Sequence, residues 1–196
     1  MIRGMTGPDG VLLETARLRL RRFTADDVDL LVGLDADPEV MRFLTGGAVT
    51  PRETVRDEHL PRILACYDHT PGLGRWAAQE RSTGEFLGWF ALDPSGDGTE
   101  AELGYRLRRA AWGRGLATEG SRALVRHAFD TVGVRRVWAQ TMAVNVRSRA
   151  VMEKAGLRYV RTFHPQFDDP IPGTEHGEVE YELLRTDGPP SAPGTR

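Results

Sequence analysis

A strand-like stretch at 100–107 runs into Arg108-Arg109-Ala110-Ala111-Trp112-Gly113-Arg114-Gly115, and an amphipathic helix begins at once with Leu116. Two glycines separated by one residue let the backbone turn tightly and let a ligand approach with no Cβ in the way. The free N–H groups of the helix's first turn point at the same spot, where the helix dipole favours an anion. Arg114 between the glycines, with Arg108 and Arg109 upstream, adds charge suited to a pyrophosphate. On the helix, Leu116, Gly120, Leu124 and Ala128 form an inward stripe, while Glu119, Arg122, Arg126 and Asp130 face outward. Taken alone, Gly-Arg-Gly is equally an ordinary strand-to-helix turn. A dinucleotide loop does not fit: its third glycine would fall on Thr118, and Gln140-Thr141-Met142 at the next strand's end offers no acid for a ribose.

Around this centre the hydrophobic period predicts the other elements. Residues 12–20 read as one strand, with Leu18 and Leu20 alternating against Arg17, Arg19 and Arg21. A helix opens at Thr24 or Ala25 with Asp26 and Asp27 in its first turn. Pro38 begins a short turn through Phe43, and Pro51 starts a second helix to about Tyr67, in which Pro61 predicts a kink or break. Strands follow at 76–81, 85–92 and 100–107, joined at Ser82-Thr83-Gly84 and at the turn-rich 93–98. After the helix at 116–131 come a strand (136–142), a helix (147–155) and strands at 157–164 and 178–184. Gly133 and Gly156 stand where those two helices should stop. The order β–α–α–β–β–β–α–β–α–β–β implies an α/β (α+β) fold, a mixed, mostly antiparallel central sheet with helices on both faces. Residues 11–185 are expected to form one domain between a flexible arm (1–10) and a disordered, proline-rich tail (186–196).

Composition narrows the partners. A chain of 196 residues with net charge -2 gives no electrostatic reason to expect nucleic acid or an anionic membrane. Cys66 is the single cysteine, so no disulfide forms within the chain, which favours a reducing cytoplasmic setting. Met1 to Gly10 lacks the apolar stretch a secretory signal would need, so none is expected, and no apolar run approaches the length that spans a bilayer. His59, His69, His127 and His164 lack metal-ligand spacing, and no metal is expected.

The second half of the candidate site is Thr141-Met142-Ala143-Val144-Asn145-Val146-Arg147-Ser148. Asn145 is a good N-cap. Ser148, Val151, Met152 and Ala155 share one helix face, with Arg149 and Glu153 paired at i, i+4 on the other. A hydroxyl on an apolar face needs a partner, and Ser148 could simply bond the helix's own first turn.

Glu102-Leu103-Gly104-Tyr105, Trp112 to Glu119, Asn145-Val146-Arg147-Ser148 and Met152-Glu153-Lys154-Ala155-Gly156-Leu157, in this order and spacing, resemble the GNAT superfamily of N-acetyltransferases. Thr15-Ala16-Arg17-Leu18-Arg19-Leu20-Arg21 and Asp37-Pro38-Glu39-Val40-Met41 resemble its ribosomal-protein N-terminal acetyltransferase branch. The likeness spans roughly residues 12–185. It implies an acetyl-CoA-dependent transferase acting on a primary amine, either a protein N-terminus or a small molecule. It also implies that main-chain groups of Gly113, Arg114, Gly115, Leu116, Ala117 and Thr118 hold the pyrophosphate. Leu107, Arg108 and Arg109 would pair with the pantetheine arm, and Asn145 would contact that arm or its water. Two positions depart from the family pattern. Ala110 replaces the usual Gln or Arg of the loop, and Met152 stands where many relatives carry a tyrosine acid, which passes that role to Ser148.

A primary amine near neutrality is largely protonated, so a base is needed before it attacks a thioester. Glu102 is the candidate, on the strand face opposite Ala101, Leu103, Tyr105 and Leu107, where burial would raise its pKa. A surface salt bridge is the plain alternative. A main-chain N–H near Leu107 would stabilise the oxyanion. Residues 25–67 and 165–170 are expected to set acceptor specificity; Asp168, Asp169, Glu175 and His176 either bind a cationic amine or, the plainer reading, form a solvated loop. The rival readings are an acyl-CoA-binding sensor without chemistry and a protein-interaction domain. The acceptor and the oligomeric state, a homodimer included, stay open.

Overall fold

The computed structural model describes residues 10–185; the predicted tail and, except for Gly10, the predicted arm lie outside the described residues. One eight-stranded sheet organises the chain in the order β1-β2-β3-β4-β5-β6-β8-β7. Its strands are β1 (Val11–Glu14), β2 (Leu18–Arg22), β3 (Gly74–Glu80), β4 (Phe86–Ser95), β5 (Glu100–Leu107), β6 (Arg136–Met142), β7 (Arg158–Phe163) and β8 (Glu178–Leu184). Every neighbouring pair is antiparallel except β5–β6. A parallel pair needs a crossover, supplied here by the helix after the glycine loop.

The helices are α1 (Val28–Asp35), α2 (Pro38–Met41), α3 (Arg52–Thr54), α4 (Leu60–His69), α5 (Leu116–His127) and α6 (Val146–Ala155). They cover both faces of the sheet, as the pattern predicts. On one face the Phe90 ring lies directly under Gly120 of α5, and a Cβ there would sit 2.3 Å from the ring. Phe90 also stacks with Tyr105, its cross-strand partner, at 6.3 Å between centroids. On the other face Trp89 and Arg106 are the matching pair, and Arg106 reaches Asp35 at the end of α1. Gly133 and Gly156 end their helices in the left-handed conformation, as expected.

Four local readings change. The strand expected at 12–20 is two strands, β1 and β2, folded back on each other through Thr15-Ala16-Arg17. That turn lacks Gly and Pro because its geometry comes from outside it: the Glu119 carboxylate accepts from Thr15 Oγ1 (2.6 Å), Arg17 N (2.9 Å) and Arg17 Nε (2.7 Å). The same bonds correct Glu119 itself, which faces this hairpin rather than solvent. Strand β4 runs on through Asp93-Pro94-Ser95, pairing with β5, so the turn expected at 93–98 is shorter. The break expected at Pro61 falls one turn earlier than the proline: a π-helical stretch, Val55–His59, interrupts the α-helical run, and Pro61 stands in the first turn of α4, which continues to His69.

Candidate active site

Strands β5 and β6 pair only at Glu100↔Arg136, Ala101↔Val137 and Glu102↔Trp138. Beyond Glu102 each keeps its outer partner, β4 or β8, but no ladder joins the two. The sheet therefore opens as a wedge from Glu102 upward. The inner edge of β5 there offers main-chain groups to an extended ligand, much as a sheet edge takes up an added strand.

At the mouth of the wedge, β5 passes into a short 3-10 turn, Arg109–Ala111, and then the glycine loop. Trp112 Nε1 donates to the Leu107 carbonyl at 2.8 Å, tying the loop back to the strand. Gly115 is the N-cap of α5 at φ +75°, and Gly113 stands at φ +71°. Open space surrounds the place a Gly113 side chain would occupy, so backbone conformation is what requires glycine there. The Leu116 side chain is core, while Ala117 and Thr118 are half-buried, so Leu116 has only its main chain to present to a ligand.

The arginines expected to add charge are already engaged. Arg114 meets Glu80 at 2.5 Å, Arg109 meets Asp37 at 2.6 Å, and Arg108 lies 3.6 Å from Glu85. The groups left unengaged for an anion at this loop are main-chain N–H groups and the helix dipole. Two further cations, which the charge argument did not name, lie against the loop, Arg17 being paired with Glu119 in its turn. Arg17 donates Nη1 to the Arg114 carbonyl at 2.8 Å, and its Nη2 lies 3.6 Å from the Gly115 Cβ position. Arg147, exposed in the first turn of α6, places its guanidinium carbon 5.7 Å from the Trp112 ring centre. Their only sequence signal was membership of the motifs at 15–21 and 145–148.

Across the wedge, Asn145 caps α6 by accepting from Ser148 N at 3.3 Å, and its amide donates to Thr141 Oγ1 at 3.1 Å. Ser148 does not use its hydroxyl on its own helix turn. Its Oγ lies 2.9 Å from the hydroxyl of Tyr105, which also donates to the Ser148 carbonyl at 3.0 Å. Burial pushes the Tyr105 phenol up to about 12, with the Ser148 bond acting the other way. Met152 is buried and carries no proton to give. The predicted Arg149–Glu153 pair is replaced by a bridge through Tyr181, whose hydroxyl accepts from Arg149 Nε (3.2 Å) and donates to Glu153 (3.0 Å).

Glu102 lies on the opposite face of β5 from Tyr105, beside Asp93 across the β4–β5 pair and Trp138 across the β5–β6 pair. Burial raises its carboxyl pKa, Asp93 raises it further, and Arg75 opposes both. Arg75 is held by Asp93 at 3.0 Å and stacks on Trp89 at 4.1 Å; Arg106 packs on the same ring at 5.2 Å. The surface salt bridge considered for Glu102 is not among the ion pairs of the described residues. Glu178, which the sequence did not single out, lies opposite Met142 at the top of β6, and burial raises its carboxyl too.

The segment between β7 and β8 closes over the end of β6. The Gly173 Cβ position lies 2.8 Å from Val144 and 3.0 Å from Met142, and Ile171 packs on Gly46 of the loop after α2. An open cleft of about 650 Å³ beside it is lined by His164, Phe167 and Ile171 among others. Asp168 and Asp169 are exposed, and Glu175 is spent on Gly173 N and His176, consistent with a solvated loop.

A mostly antiparallel sheet that splays at one parallel pair, with a glycine loop and helix N-terminus at the mouth of the splay, defines an acyl-CoA N-acyltransferase. The acetyltransferase (GNAT) domain model matches residues 17–158, and the chain belongs to that family of acetyl-CoA-dependent acyltransferases. It is 37% identical over 181 residues to the FsC-acetyl coenzyme A-N(2)-transacetylase of Aspergillus fumigatus, covering 88% of this chain and 76% of that one. Among solved structures it superposes on RimL, a ribosomal L7/L12 alpha-N-protein acetyltransferase in complex with coenzyme A, with a TM-score of 0.75 at 18% identity, covering 89% of this chain and 97% of that one. The microcin C7 self-immunity acetyltransferase MccE, in complex with acetyl-CoA and AMP, superposes with a TM-score of 0.76 at 13% identity, covering 91% and 97%. At those identities the two structures speak for the fold. No helix among the described residues is long and apolar enough to cross a membrane.

Proposed function

We propose that this protein transfers the acetyl group of acetyl-CoA to a primary amine on a small molecule, by direct attack on the thioester within the β5–β6 wedge. The observation that carries the reading is the placement of Glu102 and Ser148 on opposite faces of β5 where the wedge opens. In this reading the Gly113–Gly115 loop and the first turn of α5 hold the pyrophosphate, and the unpaired edge of β5 toward Leu107 takes the pantetheine arm. The acceptor enters from the Glu102 face, between the loop after α2 and the segment before β8. Glu102 removes the ammonium proton, and the amine nitrogen then bonds to the thioester carbonyl carbon. A main-chain N–H near Leu107 steadies the oxyanion. As the C–S bond breaks, the Ser148 hydroxyl donates a hydrogen bond to the departing thiolate, and the second proton on the new amide nitrogen is lost to solvent, leaving the neutral amide. A small-molecule acceptor is favoured over a protein N-terminus because the FsC N(2)-transacetylase matches most of both chains at 37% identity, whereas the match to RimL is one of fold.

The test is free thiol release from acetyl-CoA with a panel of small amino compounds and N-terminal peptides. Release should be fastest with small molecules carrying an α-amine. Peptides outperforming every small amine would overturn the acceptor assignment. Calorimetric CoA binding with no thiol release from any amine would favour a sensor.

A further inference from the structure

Tyr105 is the one side chain that the structure brings from β5 onto the hydroxyl of Ser148, and the reaction described above gives it no part. The Ser148 carbonyl accepts only, so Tyr105 is the donor in that 3.0 Å contact. The second contact, 2.9 Å between the hydroxyls, runs in either direction. Two proton arrangements follow. With the phenol hydrogen on the carbonyl, the Ser148 hydrogen turns inward to Tyr105. With the phenol hydrogen on Ser148 Oγ, the serine hydrogen is free to point elsewhere. The residues are 43 apart in the chain, and the contact joins the part of β5 not paired with β6 to α6, which follows the β6 arm of the wedge.

We propose that Tyr105 is a positioning residue that turns the Ser148 O–H toward the coenzyme A sulfur by donating its own hydrogen to Ser148 Oγ. The inference rests on the acetyl-transfer reading and assigns how its serine is aimed. No proton changes owner: the C–S electron pair leaves on sulfur, Ser148 donates a hydrogen bond to it, and Tyr105 donates to Ser148. The phenol suits this task because burial holds it protonated far above neutral pH, so it remains a donor throughout the cycle. An anion in the wedge favours the arrangement with the serine hydrogen outward, since a hydrogen bond to a charged acceptor is the stronger one. The contact thus selects its active form when the thiolate appears. A purely structural role, fastening α6 to β5 through the Ser148 carbonyl, would need no such response.

The decisive measurement is the thiol pKa of CoA bound to the protein, read by ultraviolet thiolate absorbance during a pH titration. It involves neither the acceptor nor Glu102. Tyr105→Phe keeps the ring on Phe90 and removes only the hydroxyl; thermal midpoint and CoA affinity are recorded alongside. In the unaltered protein the bound thiol should titrate below free CoA. Tyr105→Phe and Ser148→Ala should each raise it by about one unit, the worth of one ordinary hydrogen bond. The double variant should go no further than Ser148→Ala alone. In turnover, Tyr105→Phe should lower kcat about tenfold with KM for acetyl-CoA unchanged, and have no effect in the Ser148→Ala background. A Tyr105→Phe protein with an unaltered bound-thiol pKa, or additive shifts in the double variant, overturns the proposal. Absence of CoA binding to the unaltered protein would instead overturn the acetyl-transfer reading on which it stands.

Discussion

Arg17 and Glu119, 102 residues apart, meet through Nε at 2.7 Å and Nη2 at 2.6 Å, locking the β1–β2 turn onto the first turn of the helix that follows the glycine loop. The same guanidinium donates to the Arg114 carbonyl, so one side chain braces loop and helix together. This makes the N-terminal hairpin a brace for the loop proposed to hold the cofactor.

Replacing Glu119 by Ala should therefore act on cofactor binding more than on chemistry. Thr15 and Arg17 lose their acceptor, and we expect about 1–2 kcal/mol of stability to go, since Arg17 is half-exposed and solvent screens its share. Affinity for CoA should weaken several-fold, about 1 kcal/mol, with kcat at saturating acetyl-CoA nearly unchanged. Calorimetry with CoA and a thermal melt measure the two effects. Burial raises the Glu119 carboxyl pKa, but bonds from Thr15 and Arg17 outweigh it and the net shift is downward. Its stabilisation is thus present above the ordinary carboxylate range and fades as pH falls below it.

Glu102→Gln should lower kcat by about 10²–10⁴ and leave CoA affinity intact. Because the folded-state pKa of Glu102 lies above its unfolded value, this group favours folding at low pH and loses that contribution as pH rises through the folded pKa. Glu102→Gln should accordingly melt higher than the unaltered protein at neutral and alkaline pH, with the gap closing in acid. Melting curves across pH, set beside turnover, check both halves; unchanged turnover at saturating acceptor would remove Glu102 from the reaction.

The two charges flanking Glu102 should move the acid limb of the kcat/KM profile in opposite directions. Asp93→Asn removes a repelling carboxylate and should shift the limb to lower pH. Arg75→Gln removes the opposing cation and releases Asp93, and should shift it to higher pH. Matching shifts in both variants would show that the limb belongs to a different group.

Gly120→Ala tests the seat of α5. The added methyl meets three carbons of the Phe90 ring at 2.3, 2.5 and 2.8 Å, so the helix must lift or the ring must turn. Overpacking of this kind costs about 1–3 kcal/mol. As α5 also carries the N–H groups proposed to hold the pyrophosphate, CoA affinity should fall together with the melting temperature, whereas a change on its exposed side, such as Arg126→Gln, should spare both.

Much of this architecture was legible in the residues because it is set by neighbours close in sequence. Alternation of Trp76 to Leu107 marked the three-stranded meander, Gly133 and Gly156 marked helix ends, and Asn145 marked a cap whose bond to Ser148 N spans three residues. The glycine loop was readable for the same reason, since its turn uses the positive φ angles of Gly113 and Gly115. Pairings that span long stretches of chain left no such trace. The turn at Thr15-Ala16-Arg17 has no turn residues because Glu119 shapes it, so one strand was expected where two exist. Arg108, Arg109 and Arg114 read as free charge until the fold gave each a carboxylate. Period-two alternation put Glu102 and Tyr105 on opposite faces of β5, but only the splay of β6 away from β5 opened a space between those faces. Local propensity and pattern are carried by the chain itself; which carboxylate meets which guanidinium, and which hydroxyl finds Ser148, depends on distances that exist only once the sheet has closed its register.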